Sequence, residues 1–310
     1  VRDDEYDAFG PWIDEVDSVA LTPRLYRDHP IDFDTALLVL KVPRDIERRN
    51  ANPSMHLYDA LIIVMPNTIT VLVRSGDTYT TRVAQLDDVF AVEDSVHLLD
   101  GRLTIHFTNR APIAVHYNGS ARGSIGRLVD LLRASKVTPV AKAGKLGQGA
   151  GAIGTGQASM ASILVSDRDH GLRGDCVDVF RTEPQTVFLG GHTASVVRPA
   201  GGLVTTLAHR IRPAYLQGAA VIAAPGEVSV IHRRAPITRG RGDDLSHART
   251  FVFPDRVQTV VAKSHPLYQD VDLIRFGSPS PSVELVVPAG SATATKLLAD
   301  AQARQVQPVR

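Results

Sequence analysis

The residue types able to do chemistry are few in this chain, and most lack the setting that chemistry needs. Gly149-Ala150-Gly151-Ala152-Ile153-Gly154 fits G-x-G-x-x-G, the spacing that lets backbone N–H groups approach a pyrophosphate at a helix N-terminus. That use requires a strand just before the glycines, and Ala141 to Gln148 does not read as one, so the glycines read as linker. Cys176 is the single cysteine; beside His170 or His192 it would make a nucleophile with a base, but no nucleophile elbow or comparable turn surrounds it. Ser166-Asp167-Arg168-Asp169-His170 holds three metal-ligand side chains in what reads as an exposed turn. His106 and His116 fall on strands that a hairpin would set side by side; zinc needs a third protein ligand, and the pair reads as part of a polar face. His97 and His265 occupy matching loop positions, suited to bonding a turn carbonyl.

Arginine gives the strongest signal. Arg233, Arg234, Arg239 and Arg241 form the densest basic cluster, with Arg210 and Arg212 just upstream. Guanidinium groups grip phosphate or carboxylate through paired N–H donors, which makes the four a candidate anionic-ligand patch. Asp243 and Asp244 follow at once, so the same stretch also reads as a loop that neutralises itself. No catalytic residue, metal ligand or cofactor site is assigned.

Charge and composition narrow the classes. Across 310 residues, 34 Lys+Arg stand against 33 Asp+Glu, a formal net charge of +1, which argues against a nucleic-acid coat and leaves local patches open. One cysteine excludes an intramolecular disulfide and a four-cysteine zinc site, and fits a reducing compartment. The first residues lack a basic-then-apolar leader, and no apolar run approaches the ~18 residues that cross a bilayer. The expectation is a cytoplasmic protein, peripheral to the inner membrane face if it docks there. Arginine far exceeds lysine and alanine and valine are plentiful, a composition typical of GC-rich bacterial genomes.

What must position these residues is a repeat. Ala60 to Arg74 aligns without a gap on Ala219 to Arg233, a shift of 159 that superposes Pro66 on Pro225 and Val71 on Val230. Beyond it the shift is 168, carrying Asp87 to Asp255, Val92 to Val260 and His97 to His265, so the second copy holds nine extra residues, assigned to Arg239 to His247. Both copies close on Gly-Ser-Ala, at Gly119 and Gly290, before a helix-like segment.

Period-two alternation predicts strands at Thr35–Val42, Ala60–Met65, Thr68–Arg74, Thr78–Gln85, Val89–Asp94, Arg102–Thr108 and Ile113–Tyr117 in the first copy. An amphipathic helix follows, with Ile125, Leu128, Val129, Leu131 and Leu132 on one side. The second copy predicts strands at Leu203–Ala208, Ala220–Ala224, Val228–Arg233, Arg249–Phe253, Val257–Ala262, Val271–Phe276 and Val283–Val287, then a helix over 291–304. Cys176 to Arg198 adds β-like runs ahead of it. The expected division is a first module over 1–134, a Gly-rich flexible linker over 135–161, and a second module over 162–310. Tyr6 to Ile13, with the only tryptophan, Trp12, is an arm that either packs on its own module or docks on a partner.

Seven strands closed by one helix resemble the pleckstrin-homology-like (PH-like) fold over about residues 35–134. The resemblance rests on the hairpin Leu61 to Arg74, on Leu86-Asp87-Asp88-Val89, on the turn Leu98-Leu99-Asp100-Gly101 and on the Ile125/Leu128/Leu132 stripe. It implies a mainly β (α+β) protein of two PH-like modules, each a seven-stranded antiparallel sandwich or barrel capped by a C-terminal helix. It also implies a noncatalytic binding or scaffolding role, with a protein partner or self-association, no nucleic acid and no cofactor. The lysine and arginine cluster that phosphoinositide-reading members carry on their first hairpin is absent here. Two other expectations stand beside this one: attachment to an anionic membrane through the arginine-rich loop, and an enzyme with a site between the modules.

Overall fold

The computed structural model describes the backbone of residues 4–134, 160–201, 207, 209–241, 245–277 and 282–305, and side chains as far as residue 298. In chain order, α1 is Asp4–Ala8, β1 Asp14–Glu15, β2 Leu38–Pro43, β3 Tyr58–Val64, β4 Thr68–Ser75, β5 Thr78–Gln85, β6 Val89–His97, β7 Asp100–Phe107, β8 Ile113–Asn118 and α2 Arg122–Ala134. There follow α3 (His170–Thr182), β9 (Val187–His192), β10 (Ser195–Val196), β11 (Arg198–Pro199), β12 (Tyr215–Leu216), β13 (Ala219–Ala224), β14 (Glu227–His232) and β15 (Ile237–Thr238). The last elements are β16 (Ser246–Val252), β17 (Thr259–Ser264), β18 (Tyr268–Gln269), β19 (Val271–Gly277), β20 (Ser282–Pro288) and α4 (Ala292–Gln305). The protein is mainly β, built from several antiparallel sheets. No helix among the described residues is long and apolar enough to cross a membrane.

The repeat holds at the level of strand register. In the first hairpin Ile62 pairs with Val71, and 159 residues on, Val221 pairs with Val230. Pro66 and Pro225 sit in the two hairpin turns; in the second, Gly226 takes φ 80°, the left-handed conformation a turn of this kind demands after proline. The next pairing obeys the second shift. Val71 faces Arg82, and Val230 faces Thr250, which makes β16 the counterpart of β5 at a spacing of 168.

One five-stranded sheet has the order β1-β2-β3-β4-β5, a seven-stranded sheet the order β8-β7-β6-β16-β14-β13-β9, and a three-stranded sheet the order β17-β19-β20. The chain divides into two compact units. Of the described residues, 4–88, 99–103 and 114–134 belong to the first, and 89–98, 104–113 and those from 160 onward to the second. β6 therefore belongs to the second unit, where it pairs antiparallel with β16 from Ala91↔Val252 to His97↔Ser246.

In the second unit the inner core joins Ala219, Val221, Val228, Val230 and Val252 to Ile274, Phe276, Val283, Leu285 and Val287, with Ala294 and Leu297 of α4 closing one side. Alternate positions on β13 and β14, namely Ala220, Ile222 and Ile231, point the other way, against Met160, Leu164, Leu172, Cys176 and Phe180. In the first unit the equivalent positions, Leu61, Ile63 and Leu72, pack against Phe9, Val16, Tyr26 and Tyr58. Each outer sheet face thus has its own cover.

Two readings of the second lead-in are corrected. Cys176 to Arg198 is not uniformly β: α3 runs through Cys176 to Thr182, and only then does β9 begin. Leu172, Cys176 and Phe180 are spaced four apart and form one buried helical stripe. The first strand of the second copy, expected at Leu203–Ala208, is β9. Leu207 is helical, residues 203–206 and 208 lie outside the described residues, and β9, paired with β13, takes that place. The expected linker lies outside the described residues over 135–159, including all six residues of the glycine motif.

Candidate functional site

The four candidate arginines are not one patch. Arg233 directly follows β14 and is 1% exposed; its Nη1 donates to the Ser246 carbonyl and to Asp175 Oδ2 at 3.4 Å. Gly171 on α3 leaves room for it, since a Cβ there would come within 2.5 Å of Arg233 Nη2. Asp175 also accepts from His247 Nδ1 at 2.6 Å, so one helical carboxylate joins α3 to the ends of β14 and β16. Arg234 is half-buried, and its backbone N–H donates to Ser246 Oγ at 2.9 Å. Arg239 and Arg241 are exposed.

These two arginines stand on a ledge that the spacing of the residues reveals only in part. β12 pairs with β15 antiparallel, Tyr215 with Thr238, so the chain before Tyr215 and the chain after Thr238 leave the sheet at the same end. Arg210 and Arg212 lie on the first of these segments, Arg239 and Arg241 on the second, and all four are exposed. Arg168 fixes the turn: its guanidinium lies 4.0 Å from the Tyr215 ring centroid and donates to the Gly240 carbonyl at 2.9 Å. Leu207 and Ile211, one helical turn apart, are 64% and 82% exposed. The two segments leaving this end thus carry four exposed arginines, and the first of them also carries two exposed apolar side chains. Asp243 and Asp244 lie outside the described residues.

Elsewhere the candidates have structural partners. Asp169, expected in an exposed turn, is buried: it accepts from the Ser166 and Ala194 N–H groups at 3.1 and 3.2 Å and from the Thr193 hydroxyl. Ser166 in turn caps the same turn, and a Cβ on Gly218 would collide with Asp169 Oδ1. Cys176 is buried in the α3 stripe, where loss of solvation pushes its thiol up to about 12. His192 lies apart from that stripe in its own hydrogen bonds. Its Nε2–H donates to the Gln217 carbonyl at 3.1 Å, so Nδ1 is the unprotonated nitrogen that accepts the Thr293 hydroxyl at 3.2 Å. Burial lowers its pKa to about 4, holding it neutral.

His106 and His116 do not make the exposed pair expected of them. His106 is 8% exposed, with its ring 6.0 Å from that of Phe90, whereas His116 is exposed. His265 Nδ1 accepts from the Leu267 N–H at 3.1 Å, so it bonds a turn amide rather than the turn carbonyl expected of it. Among the described residues no three His, Cys, Asp or Glu side chains are grouped to hold a metal. A cavity of about 80 Å³ is lined by Glu93, Gln217, His232, Thr250 and Glu284, well below the ~300 Å³ at which small-molecule sites begin.

The aromatic arm packs on its own unit. Phe9, Ile13 and Val16 are buried, Phe9 meets Tyr58 edge to face at 6.2 Å, and Arg48 donates to the Phe9 and Asp7 carbonyls. Trp12 alone stays outside, 54% exposed. Comparison with known families and with curated proteins finds no family model and no curated protein that matches this chain.

Proposed function

We infer that the chain is a noncatalytic scaffold of two PH-like modules that share a strand pairing and present related surfaces to protein partners. The observation that carries this reading is the recurrence of one plan: β2 to β8 with α2, then β9, β13, β14, β16, β17, β19, β20 with α4. The β6–β16 pairing supports the joint, since it inserts a strand from the first half of the sequence into the sheet of the second. Seven consecutive backbone pairs are lost if it opens. A protease site placed between Ala134 and Met160 tests the joint. After cleavage the two fragments are expected to co-elute and to separate only in denaturant; fragments that separate in native buffer overturn the reading.

A second reading has its own observation, the exposure of Arg210, Arg212, Arg239 and Arg241 and of Leu207 and Ile211 on segments that leave one sheet end. Basic and apolar groups on one ledge suit an anionic membrane surface. Sedimentation with phosphatidylserine vesicles, weakened by salt and by Arg239→Ala/Arg241→Ala, supports attachment; no sedimentation of the parent removes it.

A further inference from the structure

Two exposed leucines stand where the β6–β16 ladder ends. The last pair of the ladder is His97↔Ser246; just outside it come Leu98, which follows β6 and is 68% exposed, and Leu245, which precedes β16 and is 63% exposed. Consecutive Cα atoms are about 3.8 Å apart and paired ones about 5 Å, so the two leucines lie no more than about 13 Å from each other. Leu98 opens the two-residue turn into β7 with φ 56°, a left-handed conformation that hairpin turns ordinarily give to glycine or asparagine. For a leucine this is strained backbone, and a side chain so exposed returns little to the core. Arginines come to the same end. The Arg234 N–H donates to Ser246 Oγ at 2.9 Å, and Arg241 precedes Leu245 by four residues, which keeps its Cα within about 15 Å. Arg239 and Arg241 are exposed, and all of these residues belong to the second unit.

We propose that Leu98 and Leu245 enter an anionic bilayer while Arg239 and Arg241 hold its phosphate groups. Leucines alone would suit any apolar surface; the arginines beside them select one with negative charge above an apolar layer. That is the order of a bilayer from its headgroups inwards, where guanidinium groups bind phosphate and apolar tips reach the acyl chains. The ladder behind the leucines, paired at seven positions, presents them already ordered, so little conformational freedom is lost on insertion. The strained turn at Leu98 then has a use, because asparagine would fit the backbone but not the acyl chains.

This inference rests on the attachment reading and deepens it by naming the residues that penetrate; the two fail separately, because the parent reads attachment and the leucine variants read insertion. The full chain is expected to sediment with mixed phosphatidylserine and phosphatidylcholine vesicles. Leu98→Asn suits the left-handed backbone, so it is expected to keep or raise the melting temperature while weakening vesicle affinity by about tenfold, the worth of one leucine leaving apolar surroundings. Leu245→Ser is expected to weaken it by a similar factor, and both variants keep the salt dependence because the arginines remain. In Trp12→Phe/Leu245→Trp the single indole is expected to emit at shorter wavelength on vesicles. A parent that sediments while both leucine variants sediment equally well, with the indole emission unshifted, overturns insertion and leaves attachment to the arginines. A parent that stays in the supernatant overturns both and leaves the leucines to a protein partner.

Discussion

The outer faces of the two matched hairpins show how one sheet plan accepts different covers. Leu61, Ile63 and Leu72 of the first unit and Ala220, Ile222 and Ile231 of the second occupy equivalent positions, and every one is buried. In the first unit the cover is an irregular segment bringing aromatic bulk, Phe9 and Tyr26, against Tyr58 of β3. In the second it is a helix, α3, whose stripe of Leu172, Cys176 and Phe180 lies on Ala220, Ile222 and Ile231. Two of the three matched positions keep their size, and only Leu61 against Ala220 differs.

Fixings differ as well. α3 is held at three levels by carboxylates: Asp169 near its start, Asp175 at its middle, and Glu183 just past its end, where Arg249 makes a bidentate bond at 2.5 and 3.0 Å. The arm is held by Arg48, by Arg24 Nη1 on the Pro53 carbonyl at 2.6 Å, by Ser124 Oγ on the Ile13 carbonyl at 3.0 Å and by Arg127 on Glu15 at 2.5 Å. The repeated arginine takes part in both halves but in unlike surroundings. Arg74 pairs with Asp59 of the neighbouring strand at 2.7 Å and is partly exposed, whereas Arg233 reaches the covering helix from a dry site.

The largest effect is expected from removing a cover. Deleting residues 1–16 strips Phe9, Ile13 and Val16 from the first unit; at about 2 kcal/mol for each buried side chain, roughly 6 kcal/mol is lost, comparable with the whole stability of a domain. The deletion is expected to aggregate or to lose its first melting transition, and a deletion that melts like the parent shows the arm to be dispensable. Next comes the arginine pair. Arg233→Ala leaves Asp175 short of a partner inside the protein and is expected to cost about 3 kcal/mol, against about 1 kcal/mol or less for Arg74→Ala. Urea unfolding of both variants reads the ratio; equal losses would erase the distinction between a dry and a wet clamp.

A smaller, pH-dependent effect belongs to the second unit alone. His192 is held at about 4 in the folded protein against 6.5 unfolded, so above pH 6.5 its titration contributes nothing. As pH falls from 6.5 towards 4 the unfolded chain takes up a proton that the folded chain refuses, and stability declines by up to about 3 kcal/mol; below 4 the decline from this group stops. Comparing urea midpoints at pH 7 and pH 5 for the parent and His192→Gln checks this. The parent is expected to lose more than the variant, and parallel losses would assign the effect elsewhere.

The sheet plan is legible in the sequence because its signals are local. Alternation and the Pro66/Pro225 turns place the hairpins within two residues of their observed ends. α3 escapes a reading by alternation because Val177-Asp178-Val179 alternates within an apolar, β-branched run; the four-residue spacing from Leu172 to Phe180 and the Ser166/Asp169 capping pair carry the helical signal. Asp169 cannot be read as buried, since the groups around it come from Thr193, Ala194 and Gly218, far along the chain. Proximity in sequence groups Arg233 with its neighbours, yet alternation along β14 turns it towards α3. The ledge is visible as four arginines, while the β12–β15 pairing that brings them to one end is long-range. The choice of β6 as partner for β16 has no local signature at all.

Amide hydrogen exchange reads that choice directly. In dilute solution, where copies do not meet, the β16 segment 246–252 lies between two strands and is expected to exchange slowly along its whole length. The matching β5 segment 78–85, which ends its sheet with β4 as its strand neighbour among the described residues, is expected to exchange faster than β16. Equal exchange in the two segments, or fast exchange in β16, would contradict the strand pairing that joins the two halves of the sequence.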